Sequence, residues 1–131
     1  MSTGYLKRPL ADKLGIKEEF KIIILKPPES YFNRLGKLPR GVIIKKEQKR
    51  PLDLIHFFTK SKKELEDKFP ELKKELSQNG ILWISWPRSS SKVETDLNEN
   101  IIREIGLKNN LVDVKVSAID ETCQVSSLFI D

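Results

Sequence analysis

Three nearly unbroken runs of apolar residues divide the chain, at Phe20–Leu25, Leu52–Phe58 and Ile81–Trp86. They are rich in β-branched or aromatic residues and lack regular polar alternation, which predicts strands covered on both faces of a sheet. The shorter run Val42–Ile44 predicts a further strand. We expect one sheet whose most buried segments are Ile22–Leu25, Leu54–Phe57 and Ile81–Ile84.

The longest segment with helical spacing runs from Lys62 to about Gln78. Its apolar residues lie three or four positions apart, as one buried face of a helix requires: Leu65, Phe69, Leu72 and Leu76. Ser61 and Glu64 have the spacing of a capping box at its start. Pro70 predicts a break or a kink that pushes Phe69 out of helical geometry, and Asn79-Gly80 predicts the end of the helix.

Shorter helices are predicted elsewhere from start and stop residues. One runs from Pro9 to Leu14 and stops at Gly15, and a second covers Glu29–Leu35. A third begins at Asp96 or Thr95, runs to Ile105 and closes at Gly106. Its apolar stripe is Leu97, Ile101 and Ile105.

The last stretch predicts an antiparallel hairpin. Strands at Leu111–Ile119 and Val125–Ile130 are joined by the short connection Asp120-Glu121-Thr122. Upstream, strands alternate with helices, which is typical of a mostly parallel sheet with helices on both faces. The sequence therefore predicts a single α/β domain over residues 1–131, with five or six strands in a mixed sheet.

Composition narrows the class of protein. The 131 residues are 38% hydrophobic and 33% charged, which favours a globular domain over disorder. Cys123 is the only cysteine, so no internal disulfide forms and a reducing cytoplasm fits best. The residues before the first helix include no apolar signal region, so we expect no secretory signal. Because no apolar run approaches the roughly 20 residues of a membrane span, we expect no membrane association.

The positive charge is concentrated at one end of the chain. Residues 1–50 carry a formal charge of +8 and residues 93–131 one of −5, within a net charge of +5. The two ends could pair within the fold or between copies in a homo-oligomer, or the basic face could meet an acidic partner. Nucleic acid is a weak candidate despite the pI of about 9.3, since neither an aromatic RNA-binding motif nor an arginine-rich stripe is present.

The connection after the first strand lacks the glycines that nucleotide-binding α/β proteins place there. Such a turn lets the backbone approach the ligand, but here the strand runs into Lys26-Pro27-Pro28-Glu29 and no glycine precedes Gly36. After the second strand stand Lys45 and Lys46, where an acid usually binds the ribose hydroxyls. The sequence predicts no cofactor in the usual pose.

The chain resembles S-adenosylmethionine-dependent methyltransferases with parts removed, from about Leu10 to Ile130. Leu14-Gly15-Ile16-Lys17, Leu52–His56 and Gly80–Ile84 carry this resemblance, which implies a reduced, Rossmann-like methyltransferase fold. The chain is also similar to a family of small bacterial proteins without an established reaction, DUF3052. That match is carried by Arg8–Lys17, Trp83–Pro87, Thr95–Leu97 and Leu111–Val116, and it implies a fold but no activity.

Candidate ligand-binding residues lie where the strands end, because ligands of open parallel sheets bind beyond the carboxyl ends of the strands. Basic side chains there, with Trp86 beside them, could hold a phosphate or a carboxylate. The predicted anion site comprises Lys26, Lys60, Trp86, Arg88 and Lys92. The alternative is a surface loop with ordinary solvated lysines.

Other reactive side chains favour structural roles. His56 lies inside a strand and is predicted to be a hydrogen-bonded core residue, since no metal-ligand spacing surrounds it. Cys123 has no histidine near it in sequence, so no catalytic role is assigned to it. Trp83 and Trp86 lie three positions apart on one strand and should point to opposite faces.

The favoured function is therefore a non-catalytic binding protein, with no catalytic residues, cofactor or metal, whose partner is acidic or a small anion. The alternative is an enzyme or sensor that acts on a small phosphorylated or carboxylate ligand at the carboxyl edge of the sheet.

Overall fold

A computed structural model describes residues 10–29, 31–87, 92–118 and 124–130. Its elements follow the predicted order. They are α1 Leu10–Leu14, β1 Lys21–Leu25, α2 Tyr31–Leu35, β2 Ile43–Ile44, β3 Leu52–Phe58, α3 Lys62–Glu75, β4 Leu76–Pro87, α4 Glu99–Lys108, β5 Val112–Ala118 and β6 Gln124–Ile130.

The six strands form one sheet in the order β2-β1-β3-β4-β6-β5. The first four strands are parallel, and the hairpin β5–β6 adds two antiparallel strands, with β6 next to β4. This confirms the predicted α/β sheet, which is mostly parallel and ends in an antiparallel hairpin. Short apolar strands joined through helices favour this arrangement, because parallel neighbours need a crossover connection.

Apolar clusters cover both faces of the sheet. On one face, Phe69 and Leu72 of α3 and Ile102 of α4 pack on the central strands. On the other, Leu10 and Leu14 of α1 pack with residues of α2 and β1. The predicted burial is confirmed for Leu54–Phe57, but it is wrong at Ile24, Leu25 and Ile81, which are only half-buried at the ends of their segments.

The predicted break at Pro70 is wrong, because α3 is continuous from Lys62 to Glu75. Proline removes one helical N–H and leaves the carbonyl of the residue four positions earlier without a donor. That residue is Glu66, and both Glu66 and Pro70 are exposed, so solvent can bind the free carbonyl. Phe69 on the opposite face is fully buried and holds the helix on the sheet.

The predicted end of α3 at Asn79-Gly80 is also wrong. The helix ends at Glu75 because Leu76 already pairs with Leu52 of β3. Leu54 then pairs with Ile81, so residues 77–80 form a large bulge in β4. The predicted bounds of α4 are wrong at both ends: its N-cap is Asn98 rather than Asp96 or Thr95, with the Asn98 side chain accepting from Ile101 N, and the helix extends past Gly106 to Lys108.

Candidate functional site

A cleft of about 330 Å³ opens at the carboxyl ends of β1, β3 and β4. We call it the carboxyl-edge cleft. It is the position at which open parallel sheets bind ligands. Its lining residues are Lys26, Phe58, Thr59, Lys60, Glu64, Pro87 and Val93.

The lysine at the end of β1 is neutralised by an acid from α3. Lys26 has a left-handed backbone, with φ of 55°, and its ammonium group makes an ion pair with the Glu64 carboxylate. Thr59 Oγ1 donates to the other oxygen of that carboxylate at 2.5 Å. The hydrogen bonds from Lys26 and then Thr59 lower the pKa of Glu64. Glu64 therefore stays ionised at neutral pH, and its charge balances that of Lys26.

The start of α3 determines where Glu64 points. Ser61 is the N-cap, and its Oγ accepts from Glu64 N at 3.2 Å, which confirms one half of the predicted capping box. In the other half, Thr59 Oγ1 takes the place of the glutamate, since it accepts from Ser61 N at 3.2 Å. The Glu64 side chain is thus free to reach Lys26 across the sheet edge.

Of the five predicted site residues, the structure places two in the carboxyl-edge cleft. Lys26 and Lys60 line the carboxyl-edge cleft together. Trp86 is 4% exposed and packs in the apolar core, so its indole does not form a wall of this cleft. Lys92 is exposed but is not among the lining residues. Arg88 lies outside the described residues, and so does Cys123.

Glu64 is the residue that sequence reasoning did not place in the site. The sequence assigned it to a helix cap, and its distance of 38 positions from Lys26 hid the ion pair. Thr59 is likewise absent from the predicted site. The available signal was its polar side chain directly after a run of buried residues.

His56 confirms the prediction of a hydrogen-bonded core histidine. It is fully buried, with Nδ1 at 2.9 Å from Tyr31 Oη and Nε2 at 2.7 Å from Ser85 Oγ. Its ring stacks on Phe58 with centroids 4.3 Å apart. Burial lowers the pKa of His56 to about 3 and raises the pKa of Tyr31 above its ordinary value. Although Ser85 and His56 resemble a nucleophile and its base, both are sealed from solvent, so their contact stabilises the core.

The region after β2 carries cations. Lys45 Nζ donates to Lys49 O at 2.8 Å, and Lys46 is exposed. The nearest following acid, Glu47, pairs with Lys49 at 3.5 Å. This segment therefore folds on itself and presents ammonium groups at the place where ribose hydroxyls would need a carboxylate.

Two further features bear on the class of protein. Among the described side chains of residues 10–29, 31–87 and 92–111, no group of three His, Cys, Asp or Glu residues is arranged to hold a metal ion. The longest helix of these ranges has 14 residues, and none combines the length and the apolarity of a membrane span.

The fold is that of S-adenosylmethionine-dependent methyltransferases. An enzyme of this kind from Aquifex aeolicus superposes with a TM-score of 0.56 at 13% identity, covering 96% of this chain and 95% of that one. A second such methyltransferase, from Clostridium acetobutylicum, superposes with a TM-score of 0.54 at 10% sequence identity, covering 96% of this chain and 88% of that one. A methyltransferase from Pyrococcus furiosus superposes with a TM-score of 0.54 at 13% sequence identity, covering 92% of this chain and 79% of that one. At such identities the similarity establishes the fold alone. No protein-family model and no curated protein sequence matches this chain.

Proposed function

We propose that this chain is a non-catalytic binding protein, built on a methyltransferase-like fold without the cofactor loop, that holds a partner at the carboxyl-edge cleft. The observation that carries the proposal is the ion pair between Lys26 and Glu64, which lines this cleft. A glycine turn would leave room for ligand phosphate or carboxylate groups at the end of β1. Here a lysine side chain and its acidic partner take that place.

The residues present do not fit adenosylmethionine in its usual pose. Lys26-Pro27-Pro28 follows β1 directly, and a proline carries no backbone N–H to offer a ligand. After β2, the ammonium groups of Lys45 and Lys46 cannot accept hydrogen bonds from the hydroxyls of a ribose. The connection after β1 and the residues after β2 would both have to contact the same cofactor, and neither has the groups to do so.

The acid–base groups near the cleft also favour binding over catalysis. Glu64 has a lowered pKa, which makes its carboxylate a weak base near neutral pH. His56 is fully buried and hydrogen-bonded through both nitrogens. In the described part of the chain, no other histidine exists to pair with Thr59 or Ser61.

The cleft suits a partner with an apolar group next to an acidic one. Phe58, Pro87 and Val93 supply an apolar wall, and Val93 is 46% exposed. Lys60 is exposed beside them and makes no side-chain ion pair within the described residues. Catalysis or sensing of a small anion is the second candidate, and the exposed cation Lys60 favours it. The ion pair opposes it, because Glu64 already neutralises Lys26 and Lys60 is left to hold a small anion by itself.

We also propose that the chain is a bacterial member of the DUF3052 family and that it is located in the cytoplasm. They rest on the segments Arg8–Lys17 and Trp83–Pro87 and on the single cysteine of the chain.

Adenosylmethionine should not bind at micromolar concentrations. We expect isothermal titration calorimetry to show no saturable heat, with an active methyltransferase as the positive control. Thermal unfolding should agree, since a ligand at 100 times its dissociation constant would stabilise the fold by about 2.7 kcal/mol. Micromolar binding in either measurement would restore the enzyme interpretation.

Reversing the charge of Lys60 should abolish partner binding. We expect immobilised wild-type protein to retain a partner from a lysate of its source, and Lys60→Glu to lose it, because the cleft would then carry two carboxylates. Lys62→Glu is the matched control: Lys62 is also exposed but lies outside the cleft lining. Equal retention by both variants, or no retained partner with the wild type, would refute the cleft as the binding surface.

A further inference from the structure

A second cleft, of about 480 Å³, lies at the opposite edge of the sheet, where β3 and β4 begin and α3 and α4 end. We call it the amino-edge cleft. Four cations from three segments line it, together with amide side chains. The residues that matter here are Arg50, Lys73, Lys74, Lys108, Gln78 and Asn109.

None of the four cations has a carboxylate partner within the described residues. The nearest acid that the contacts identify is Glu75, whose Oε2 accepts from the backbone N–H of Arg50 at 2.7 Å. That bond ties the loop before β3 to the last turn of α3. Arg50, Lys73 and Lys74 line the same cleft. Lys73 is half-buried, whereas Lys74 and Lys108 are exposed.

Helix ends explain only part of this cluster. Lysines near a helix C-terminus interact favourably with the macrodipole, and Lys73, Lys74 and Lys108 stand in such positions. The terminal carbonyls, however, have other donors. Leu76 N donates to Lys73 O, and at α4 the Asn109 side chain donates to Ile105 O at 2.8 Å. Arg50 belongs to no helix, so the dipole does not account for it.

The bulge of β4 forms one side of the cleft. Residues 77–80 stand opposite a single residue of β3, and Gln78 in this bulge lines the cleft. Gly80 closes the bulge so tightly that an added Cβ would lie 2.7 Å from both Leu76 Cγ and Ser77 O. Bulges that redirect a side chain are common beside binding sites.

We propose that the amino-edge cleft binds an anion that carries two or more phosphate groups. Three of the four cations are lysines, which act as point charges and suit a tetrahedral group with oxygens in several directions. A carboxylate has two oxygens in one plane and is matched better by a guanidinium fork. The amide groups of Gln78 and Asn109 can donate to further oxygens. A volume near 480 Å³ lies within the range of small-molecule sites.

This site is independent of the proposed function, since it shares no lining residue with the carboxyl-edge cleft. The test uses pyrophosphate as the probe, titrated into the whole chain by calorimetry at two salt concentrations. We expect saturable binding that weakens as salt rises, because charged contacts are screened.

The double variant Lys73→Gln/Lys74→Gln should raise the dissociation constant about tenfold or more, since hydrogen bonds to charged groups are lost. Lys62→Gln/Lys63→Gln is the control. It removes the same charge from the exposed first turn of the same helix and should change binding less than about twofold. Lys108→Gln, on the other helix, should weaken binding in the same direction. Circular dichroism melts confirm that each variant is folded.

Absence of pyrophosphate binding to the wild type overturns the proposal. Equal weakening by the two double variants also overturns it, because binding would then follow net charge alone. If citrate binds as tightly as pyrophosphate, the phosphate assignment is wrong.

Discussion

Lowering the pH from 7 to 5 should destabilise the folded protein by about 2 kcal/mol through His56 alone. Burial lowers the pKa of His56 to about 3 in the folded state, whereas the ordinary pKa of a free histidine is 6.5. Between these values the unfolded chain binds a proton that the folded protein does not, so stability falls as pH falls. The limiting slope is about 1.4 kcal/mol per pH unit. Above pH 6.5 the contribution of neutral His56 to the free energy of unfolding is fully present.

Urea unfolding at pH 7, 6 and 5 measures this slope. The window lies above the usual carboxylate pKa values, so most carboxyl groups stay ionised throughout. His56→Gln is the matched variant, because an amide can still bond Tyr31 and Ser85 but does not titrate. It should be less stable than the wild type at pH 7 and should lose the slope. A wild type whose stability is constant between pH 7 and 5 would contradict the buried neutral histidine.

Replacing Trp83 by alanine should cost about 3–5 kcal/mol of unfolding free energy, the range for large aromatic residues in cores. Trp83 is 2% exposed and packs in the cluster that joins α1 and α2 to the sheet. Its Nε1 donates to Leu14 O at 2.9 Å, which ties the end of α1 to β4. The alanine variant loses both the packing and this bond.

Two further variants separate these contributions. Trp83→Phe keeps most of the apolar bulk but leaves the buried Leu14 carbonyl without this donor, which should cost about 1–3 kcal/mol. Leu107→Ala is the surface control, since Leu107 is 59% exposed on α4, and should change stability by less than about 1 kcal/mol. A loss below 1 kcal/mol for Trp83→Ala would show that the layer of α1 on the sheet contributes little.

The two clefts lie at opposite edges of the sheet and differ in how their charges are paired. At the carboxyl edge, where ligands of open parallel sheets bind, the charges of Lys26 and Glu64 cancel each other. At the amino edge, four cations remain without carboxylate partners in the described part of the chain. We therefore expect an anion to meet more positive charge at the amino edge than at the carboxyl edge.

The sequence alone determined the order of the elements and the central strands. Unbroken apolar runs predict buried parallel strands because each must be covered on both faces, and Ile22, Leu54 and Leu82 are indeed enclosed. The opposite directions of Trp83 and Trp86 follow from the two-residue period of a strand, and the two indoles lie in different clusters. These properties depend on near neighbours in the chain, which a sequence displays directly.

Only the tertiary structure decided what the charged and polar side chains contact. Glu64 meets Lys26 across 38 positions, and His56 meets Tyr31 and Ser85 across 25 and 29 positions. α3 passes through Pro70 because packing of its buried face outweighs one lost hydrogen bond, and it ends at Glu75 because Leu76 pairs with β3. Strand register and helix docking determine which distant side chains meet, and no local pattern records them.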